Sequence, residues 1–176
     1  MKRLTSIAAA IIVVLAIASV GAFAFIYYGS GTLRIEITDL PTDGGEGTQI
    51  YLSYSAIEIH RADAGNESGW TTVIDNGGSI NLTRTLNVSQ LIGSKNLQAG
   101  IYNQIRFNID EANVTVDGQN YTATVPSDVL KILIPEGGIE VTSGQTSTLL
   151  IELDIIVKGS KETTFTIVPA VKAAPV

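Results

Sequence analysis

An uncharged and mostly apolar run from Leu4 to Tyr28 is the feature that most constrains this chain of 176 residues, and it follows a short basic start, Lys2-Arg3. A helix rises about 1.5 Å per residue, so roughly 20 apolar residues cross a hydrocarbon core of about 30 Å. Backbone amides in lipid need partners within their own segment, so the run predicts a helix. The basic residues favour a cytoplasmic N-terminus, and Tyr27 and Tyr28 fall where an outer aromatic belt would lie.

The same run also fits a cleaved secretory signal, because Ala22-Phe23-Ala24 has small residues where a signal peptidase cuts. Its length and its bulky end, Phe25 to Tyr28, favour a retained anchor. Both interpretations place the later residues outside the cytoplasm. The protein is then a single-pass protein of the cell membrane, or a secreted one if it is cleaved near Ala24. We predict an anchor or signal at 1–28, a Gly/Ser joint at 29–32, an extracytoplasmic domain at 33–172 and a tail at 173–176.

Charge and cysteine content exclude several classes of protein. Without Lys2 and Arg3, 9 of the 11 basic residues remain against 17 acidic ones, so the exported part has a net charge of −8. Such a surface repels nucleic acid and anionic lipid, and we predict no nucleic-acid partner. The absence of cysteine excludes disulfides, thiolate chemistry and a thioether-linked lipid anchor. The domain must therefore be stabilised by packing and strand pairing.

Alternation of apolar and polar residues predicts an all-β domain. It is clear in Leu33 to Thr38, and it changes phase within Gln49 to Arg61, which predicts a bulge near Ser55-Ala56. Asp117-Gly118 between two alternating segments predicts a hairpin. About nine such segments, separated by turn residues, predict an antiparallel β-sandwich with Greek-key-like connections.

Two local predictions concern the middle of the chain. Leu86 to Ile92 is ambiguous, and Asn87 is suited to cap one helical turn that carries Val88, Leu91 and Ile92. After Gly100, the alternation places one set of apolar side chains on a common face: Ile101, Ile105, Phe107 and Ile109.

An ordered series of short motifs resembles a known family. The motif residues are Gly31, Leu33, Ile35, Ile37, Thr38, Asp39 and Pro41, then Ile57 to His60, Trp70, Ala99-Gly100, Tyr102, Ile105-Arg106, Val116 to Gly118 and Val125 to Ser127. In order and spacing they resemble the exported bacterial and archaeal family called domain of unknown function 4382, over roughly residues 31 to 170. The resemblance implies a β-sandwich module of envelope-anchored or secreted proteins, and it implies no activity. Many members are tethered through a lipidated cysteine. This chain has none, so its tether would be the N-terminal helix.

His60 is the only histidine, and it shares a predicted strand face with Glu58, as half of a metal site or an acid–base pair would. A metal needs three or four converging ligands, and a nucleophile needs a base that a third group holds. One histidine and no cysteine therefore favour an ordinary polar residue at a strand end. We predict no catalytic, cofactor-binding or metal-binding residue, no cofactor and no enzyme.

Two other groups of residues have a binding interpretation and a plainer one. Asp39, Asp43 and Glu46 flank a Gly-rich loop, but their spacing lacks the alternate carboxylates and distal Glu of a calcium loop, so a solvated turn is favoured over a weak calcium site. Aromatic rings can stack on sugars or peptides. A single tryptophan in a sandwich is usually a core anchor, which favours the core for Trp70 over a platform shared with Tyr51, Tyr54, Tyr102 and Tyr121.

Five N-glycosylation sequons occur in the exported part, and in a cell with the right transferase they mark surface acceptors. Their asparagines are Asn66, Asn81, Asn87, Asn113 and Asn120.

Together these features predict a non-enzymatic, membrane-anchored, extracytoplasmic module with a structural, adhesive or envelope-assembly role. Its partners would be the membrane, through the helix, and other envelope or surface proteins. One alternative is a filament subunit in which Phe25 to Tyr28, freed by cleavage, adds to the open sheet edge of a neighbouring copy. Another is an auxiliary subunit of a membrane complex, whose helix packs on partner helices through small residues such as Ala8 to Ala10, Ser19 and Gly21.

Overall fold

The computed structural model describes residues 11–22, 24, 29–39, 49–65, 68–81, 89–158 and 165–175. Residues 11–22 are helical, and large apolar side chains on this helix are exposed, among them Ile12 at 66% and Ile17 at 68%. Within the described ranges, no helix has the length and hydropathy needed to cross a membrane. Much of the predicted apolar run, at 1–10 and 25–28, lies outside the described residues.

The rest of the described chain is almost entirely strand. The strands are β1 (Ser30–Asp39), β2 (Gln49–Arg61), β3 (Trp70–Ile74), β4 (Gly78–Asn81), β5 (Gln90–Gln98), β6 (Gly100–Val116), β7 (Gln119–Thr124), β8 (Val129–Leu133), β9 (Ile139–Val141), β10 (Thr146–Lys158) and β11 (Phe165–Pro175). A short 3₁₀ turn, Pro126–Asp128, joins β7 to β8. The strands thus include residues that we predicted as the joint and the tail.

The strands form two sheets that pack as a sandwich, without closing into a barrel. Sheet A has the order β5-β1-β10-β11. Sheet B has β2 and β6 at its centre, with β3 and β4 along β2 and with β7, β8 and β9 along β6. The sheets meet at one corner, where β11 pairs with β7. The predicted sandwich is confirmed as an all-β, two-layer fold.

The prediction of a purely antiparallel sandwich is wrong at two places. β1 pairs with β10 in parallel over eight residues, and the short β11–β7 pair is also parallel. The β1–β10 pair lies at the centre of sheet A and buries Leu33, Ile35, Leu149 and Ile151. Long-range pairing of this kind depends on which segments meet in the fold, and the alternation within each strand is the same for either direction.

The facing sides of the two sheets form one apolar core. Leu33 and Ile35 of sheet A and Ile57, Ile105 and Phe107 of sheet B are fully buried. The rings of Phe107 and Tyr54 meet edge to face, with centroids 5.8 Å apart. Outward-facing positions of the central strands are polar, so the alternation in the sequence is the alternation between core and surface.

The β2–β6 pair has three register shifts, and two of them bear on the predicted core face. Ser55 has no partner opposite it in β6, which confirms the predicted bulge. A second bulge lies at Asn103, because His60 pairs with Gln104 while the next residue, Arg61, pairs with Tyr102. The bulge reverses the alternation, so Tyr102 is buried and Ile101 is 50% exposed. The prediction that Ile101 shares the inner face with Ile105 is therefore wrong.

The segment near Asn87, which the sequence left ambiguous, is strand and not helix where the structure describes it. Leu91 and Ile92 lie in β5, an edge strand paired with β1, while residues 82–88 lie outside the described residues. A short apolar segment fits either structure, and the pairing with β1 decides between them. The Asp117-Gly118 hairpin is confirmed, since Val116 pairs with Gln119 and both turn residues have positive φ, 51° and 77°.

Candidate functional site

A cleft of about 550 Å³ opens at one end of the sandwich, where the β2–β3 loop, the start of β6 and β9 meet. We call it the cleft and define it by its lining residues, Arg61, Ala62, Asp63, Ala99, Gly100, Ile101, Glu140, Val141 and Thr142. Concave sites that combine apolar walls with a few polar groups are the usual places where proteins bind small ligands or side chains.

An ion pair forms one wall of the cleft. Arg61 Nε donates to Asp63 Oδ1 at 2.7 Å, and the two side chains are 26% and 69% exposed. This hydrogen bond lowers the pKa of Asp63 and raises that of Arg61. The guanidinium of Arg61 also lies over Gly100, where an added β-carbon would come 3.0 Å from a guanidinium nitrogen. Gly100 has a φ of +153°, a backbone conformation that favours glycine here.

The facing wall combines an apolar side chain with a carboxylate. Ile101 and Glu140 are antiparallel partners in β6 and β9, so their side chains are neighbours on one face. Ile101 is half exposed, and its carbonyl accepts a 2.8 Å hydrogen bond from the Ala62 amide, which connects the two walls. Glu140 is exposed, and within the part of the chain that the structure describes its carboxylate forms no ion pair.

Behind the cleft, His60 is buried and holds the β2–β3 loop. Its Nε2 lies 3.0 Å from the carbonyl oxygens of both Gly65 and Ser68, and its Nδ1 lies 3.3 Å from Asn103 Oδ1. Carbonyl oxygens only accept hydrogen bonds, so Nε2 carries the hydrogen. At 2% exposure, His60 is a buried structural residue at the strand end, more enclosed than the polar strand-end residue we predicted.

Five side chains pack on the outer face of sheet B next to the cleft, and we call them the outer cluster: Glu58, His60, Trp70, Arg106 and Lys131. Arg106 Nε donates to Glu58 Oε2 at 2.7 Å, and Asn108 Nδ2 donates to the same oxygen at 3.1 Å. The Arg106 bond is the main reason that the pKa of Glu58 lies below its ordinary value. Glu58 therefore bonds to β6 and not to His60, so the acid–base pair considered from the sequence is not assembled.

Trp70 is the centre of the outer cluster and does not belong to the core. The Arg106 guanidinium carbon lies 4.1 Å from the centre of the Trp70 ring, the His60 ring is 4.9 Å away, and Lys131 Nζ is 5.6 Å away. Its strand partner is His60, whose position faces outward, so Trp70 faces outward too. The expectation of a core tryptophan is thus wrong, because cation–π contacts rather than the apolar interior cover this ring.

A family model described as "Domain of unknown function (DUF4382)" matches residues 30–169 of this chain. The chain belongs to the DUF4382 family. This confirms the resemblance derived from the motifs, and the structure now places those motifs together. Glu58, His60, Trp70 and Arg106 form most of the outer cluster, and Ala99 and Gly100 line the cleft.

Solved structures and curated proteins give little further information about the function of this DUF4382 protein. One solved structure that resembles it is a crystal structure of a Bacteroides ovatus protein provisionally named a cell adhesion protein. The two are 10% identical with a TM-score of 0.24, and the match covers 81% of this chain and 44% of that one. The chain thus spans less than half the length of that protein, and so weak a likeness carries no argument about function. No curated protein matches the chain.

The structure does not bring the tyrosines and Trp70 together as a platform. Tyr54 and Tyr102 are buried in the core, and Tyr102 donates its hydroxyl to the Gln98 carbonyl at 2.9 Å. Tyr121 packs its ring against Phe165, and Tyr51 is 38% exposed at a distant part of β2. Of the carboxylates considered for calcium, Asp39 ends β1, while Asp43 and Glu46 lie outside the described residues. Among the described residues, no group of His, Cys, Asp and Glu side chains is arranged to hold a metal.

Three of the five predicted glycosylation acceptors lie on strands of sheet B. Asn81 and Asn113 are both opposite Tyr51, on β4 and β6, and Asn120 lies on β7, where it accepts a hydrogen bond from Thr115. Asn113 donates to Glu111 at 2.8 Å. Asn66 and Asn87 lie outside the described residues, and glycosylation of all five remains a prediction.

The cleft residues Arg61, Asp63, Ile101 and Glu140 were not singled out from the sequence. Three of them look like ordinary strand-end or turn residues, and Ile101 was placed in the core. One signal was present, since strict alternation from Ile101 to Ile105 would place the polar Asn103 on the inner face. A bulge resolves that conflict, and it also exposes Ile101 to the cleft.

Proposed function

We propose that this DUF4382 protein is a non-enzymatic, extracytoplasmic β-sandwich module with an adhesive role, and that it contacts its partner through the cleft. The observation that carries the proposal is the half-exposed Ile101 in the cleft beside Glu140, whose carboxylate forms no ion pair among the described residues. An apolar side chain that becomes buried on binding is a common anchor at binding hot spots.

The extracytoplasmic location rests on the N-terminal run. Lys2-Arg3 followed by an uncharged segment to Tyr28 is typical of a signal anchor or a cleaved signal. The exposed Ile12, Leu15 and Ile17 of the helix, at 66, 63 and 68%, need cover from lipid or from another protein. In this proposal the helix tethers the sandwich to the cell membrane, or it is removed and the sandwich is secreted.

We propose a non-enzymatic role because the polar side chains near the cleft form hydrogen bonds that hold the fold. Both ring nitrogens of His60 face acceptors that belong to the β2–β3 loop and to the bulge. Glu58 accepts from Arg106 and Asn108. A general base needs free access to the proton that it removes, and these groups are engaged in holding the fold.

A matched pair of substitutions tests the proposal. Ile101 and Leu91 are equally exposed, at 50 and 47%, but only Ile101 lines the cleft, whereas Leu91 lies on β5. Cells that display Ile101→Lys should adhere less to their natural surface than cells that display Leu91→Lys, at equal surface levels of the protein. Equal adhesion by the two variants would contradict contact through the cleft.

A second candidate function is the strand-donation filament, and the edge of sheet A favours it. Among the described strands, β5 pairs only with β1, so its other edge presents backbone donors and acceptors to a neighbour. The proposed donor, Phe25 to Tyr28, lies outside the described residues. N-terminal sequencing of the native protein tests this candidate, because an intact Met1 or Lys2 excludes donation of a freed segment.

A further inference from the structure

We infer that the cleft binds a lysine or arginine side chain presented by a partner protein. This inference rests on the proposed function and names the chemistry of the partner at the contact. It follows from the charges of the cleft, from its apolar walls and from the type of side chain that it lacks.

The charges of the cleft favour a cation. Of its three charged side chains, Arg61 and Asp63 neutralise each other through their 2.7 Å ion pair, which leaves the carboxylate of Glu140. The chain beyond residue 28 has the same sign as a whole, with 9 basic and 17 acidic residues. An anionic ligand would be repelled by the carboxylate of Glu140, whereas a cation is attracted by it.

The apolar walls suit the stem of a long basic side chain. Ala62 and Ile101 offer exposed apolar surface in the cleft, and Ile101 is the half-exposed neighbour of Glu140, while Ala99 and Val141 line the cleft from the buried side. Lysine and arginine bury their methylene groups along apolar surface while the charged end stays at a polar site. A small metal cation would leave this apolar surface uncovered, and Glu140 alone would supply too few oxygen ligands.

The cleft is poorly suited to a neutral sugar. Sugar rings are usually bound by stacking on aromatic faces, and the lining residues of the cleft include no aromatic side chain. Trp70 belongs to the outer cluster, where Arg106 lies over its ring.

Binding of short peptides to the full chain in detergent solution tests the inference. The probe is a fluorescent peptide with capped ends and two lysines in an alanine and glycine background, and the controls replace both lysines with glutamine or with glutamate. Fluorescence anisotropy should show binding of the lysine peptide that is at least tenfold tighter than that of the glutamine peptide, and weaker in high salt. Equal binding of the lysine and glutamine peptides, or preference for the glutamate peptide, would overturn the inference.

Variants then locate the site. Glu140→Gln should weaken binding of the lysine peptide about three- to tenfold, because it removes the charge and keeps the shape. Glu111→Gln is the matched control, since Glu111 is an exposed carboxylate on β6 that lies outside the cleft, and it should bind like the wild type. Equal losses from the two substitutions would show general attraction to an acidic protein and would overturn the assignment to the cleft.

The adhesion test and the peptide test together show which proposal fails, namely adhesion through the cleft or the basic side chain as its occupant. If Ile101→Lys abolishes adhesion while the lysine peptide fails to bind the unsubstituted chain, the cleft is the contact site and the basic side chain is the wrong occupant. If Ile101→Lys leaves adhesion intact and the peptide binds at Glu140, the proposed function is wrong and the binding chemistry is right.

Discussion

The two ends of strand β6 (Gly100–Val116) differ in how they are built. At its C-terminal end, β6 turns through Asp117-Gly118 into β7 with an uninterrupted register. At its N-terminal end, the register shifts at Asn103, and the buried His60 forms hydrogen bonds with the β2–β3 loop. The Arg61–Asp63 ion pair forms one wall of the cleft at this end. The first end is determined by local rules, and the second depends on contacts between segments far apart in the chain.

This difference is the reason that we propose the cleft end of β6 as the binding end. A regular hairpin offers its neighbours only a continuous, fully paired surface. The bulge and the loop at the other end expose Ile101 and leave a concavity beside it, and these departures from regular pairing are held in place by His60 and Arg61. Bulges commonly re-aim side chains next to binding sites.

The largest effect is expected from a substitution in the apolar core, which both ends of β6 share. Phe107 is fully buried between them, and Phe107→Ala should lower the free energy of unfolding by about 3–5 kcal/mol. Both ends should unfold together in urea, whether followed by Trp70 fluorescence near the cleft or by circular dichroism. Leu133→Ala on the same sheet, with its side chain 71% exposed, should change the stability by less than about 0.5 kcal/mol. Separate transitions in the two signals would show that the ends are independent units.

The next effect is confined to the cleft end. His60→Ala removes the donor to Gly65 and Ser68, which leaves their carbonyls without this partner, and it should cost about 1–3 kcal/mol. Amide hydrogen exchange should quicken in the β2–β3 loop and stay unchanged in the β6–β7 hairpin. Equally faster exchange in the loop and in the hairpin would contradict the local role of His60.

The hairpin end has its own, smaller test. Gly118 has a φ of +77° with open space where a β-carbon would lie, so Gly118→Ala carries only the cost of the left-handed backbone, about 1–2 kcal/mol. Thermal unfolding measures it, with the neighbouring Gln119→Ala as the control. The binding of the lysine peptide should be unchanged, and a loss of binding would show that the two ends are coupled.

The smallest effect concerns the outer cluster and depends on pH. Arg106 lowers the pKa of Glu58 below its ordinary value of 4.5, so this carboxylate stabilises the folded state above that pH. The contribution is lost as the pH falls through the lower folded value. Glu58→Gln should cost up to about 1 kcal/mol at pH 7 and less at pH 3, as urea unfolding at the two pH values would show. An equal cost at both pH values would exclude the ion pair as its origin.

The sequence predicted the sandwich because most of its strands follow simple alternation. Ile50, Leu52 and Tyr54 alternate with polar residues, and their phase change revealed the bulge at Ser55. β5 was missed because Gly93, Ser94 and Asn96 have weak strand propensity, and pairing with β1 makes them a strand. The parallel β1–β10 pair was missed because alternation does not encode strand direction.

The site was far less predictable than the fold. His60, Glu58 and Trp70 were noticed for their chemistry, but their partners lie on β6, more than 30 residues away. The cleft brings Arg61, Ile101 and Glu140 together from three strands, and that juxtaposition depends on the bulge at Asn103. Tertiary contacts of this kind leave no local pattern in the sequence.

Hydrogen exchange of the full chain, free and bound to its natural partner surface, tests the central claim most directly. The account predicts slower exchange on binding at Arg61 to Asp63, Ala99 to Ile101 and Glu140 to Thr142, and no change at Asp117 to Asn120. Protection at the hairpin end with an unchanged cleft end would contradict it.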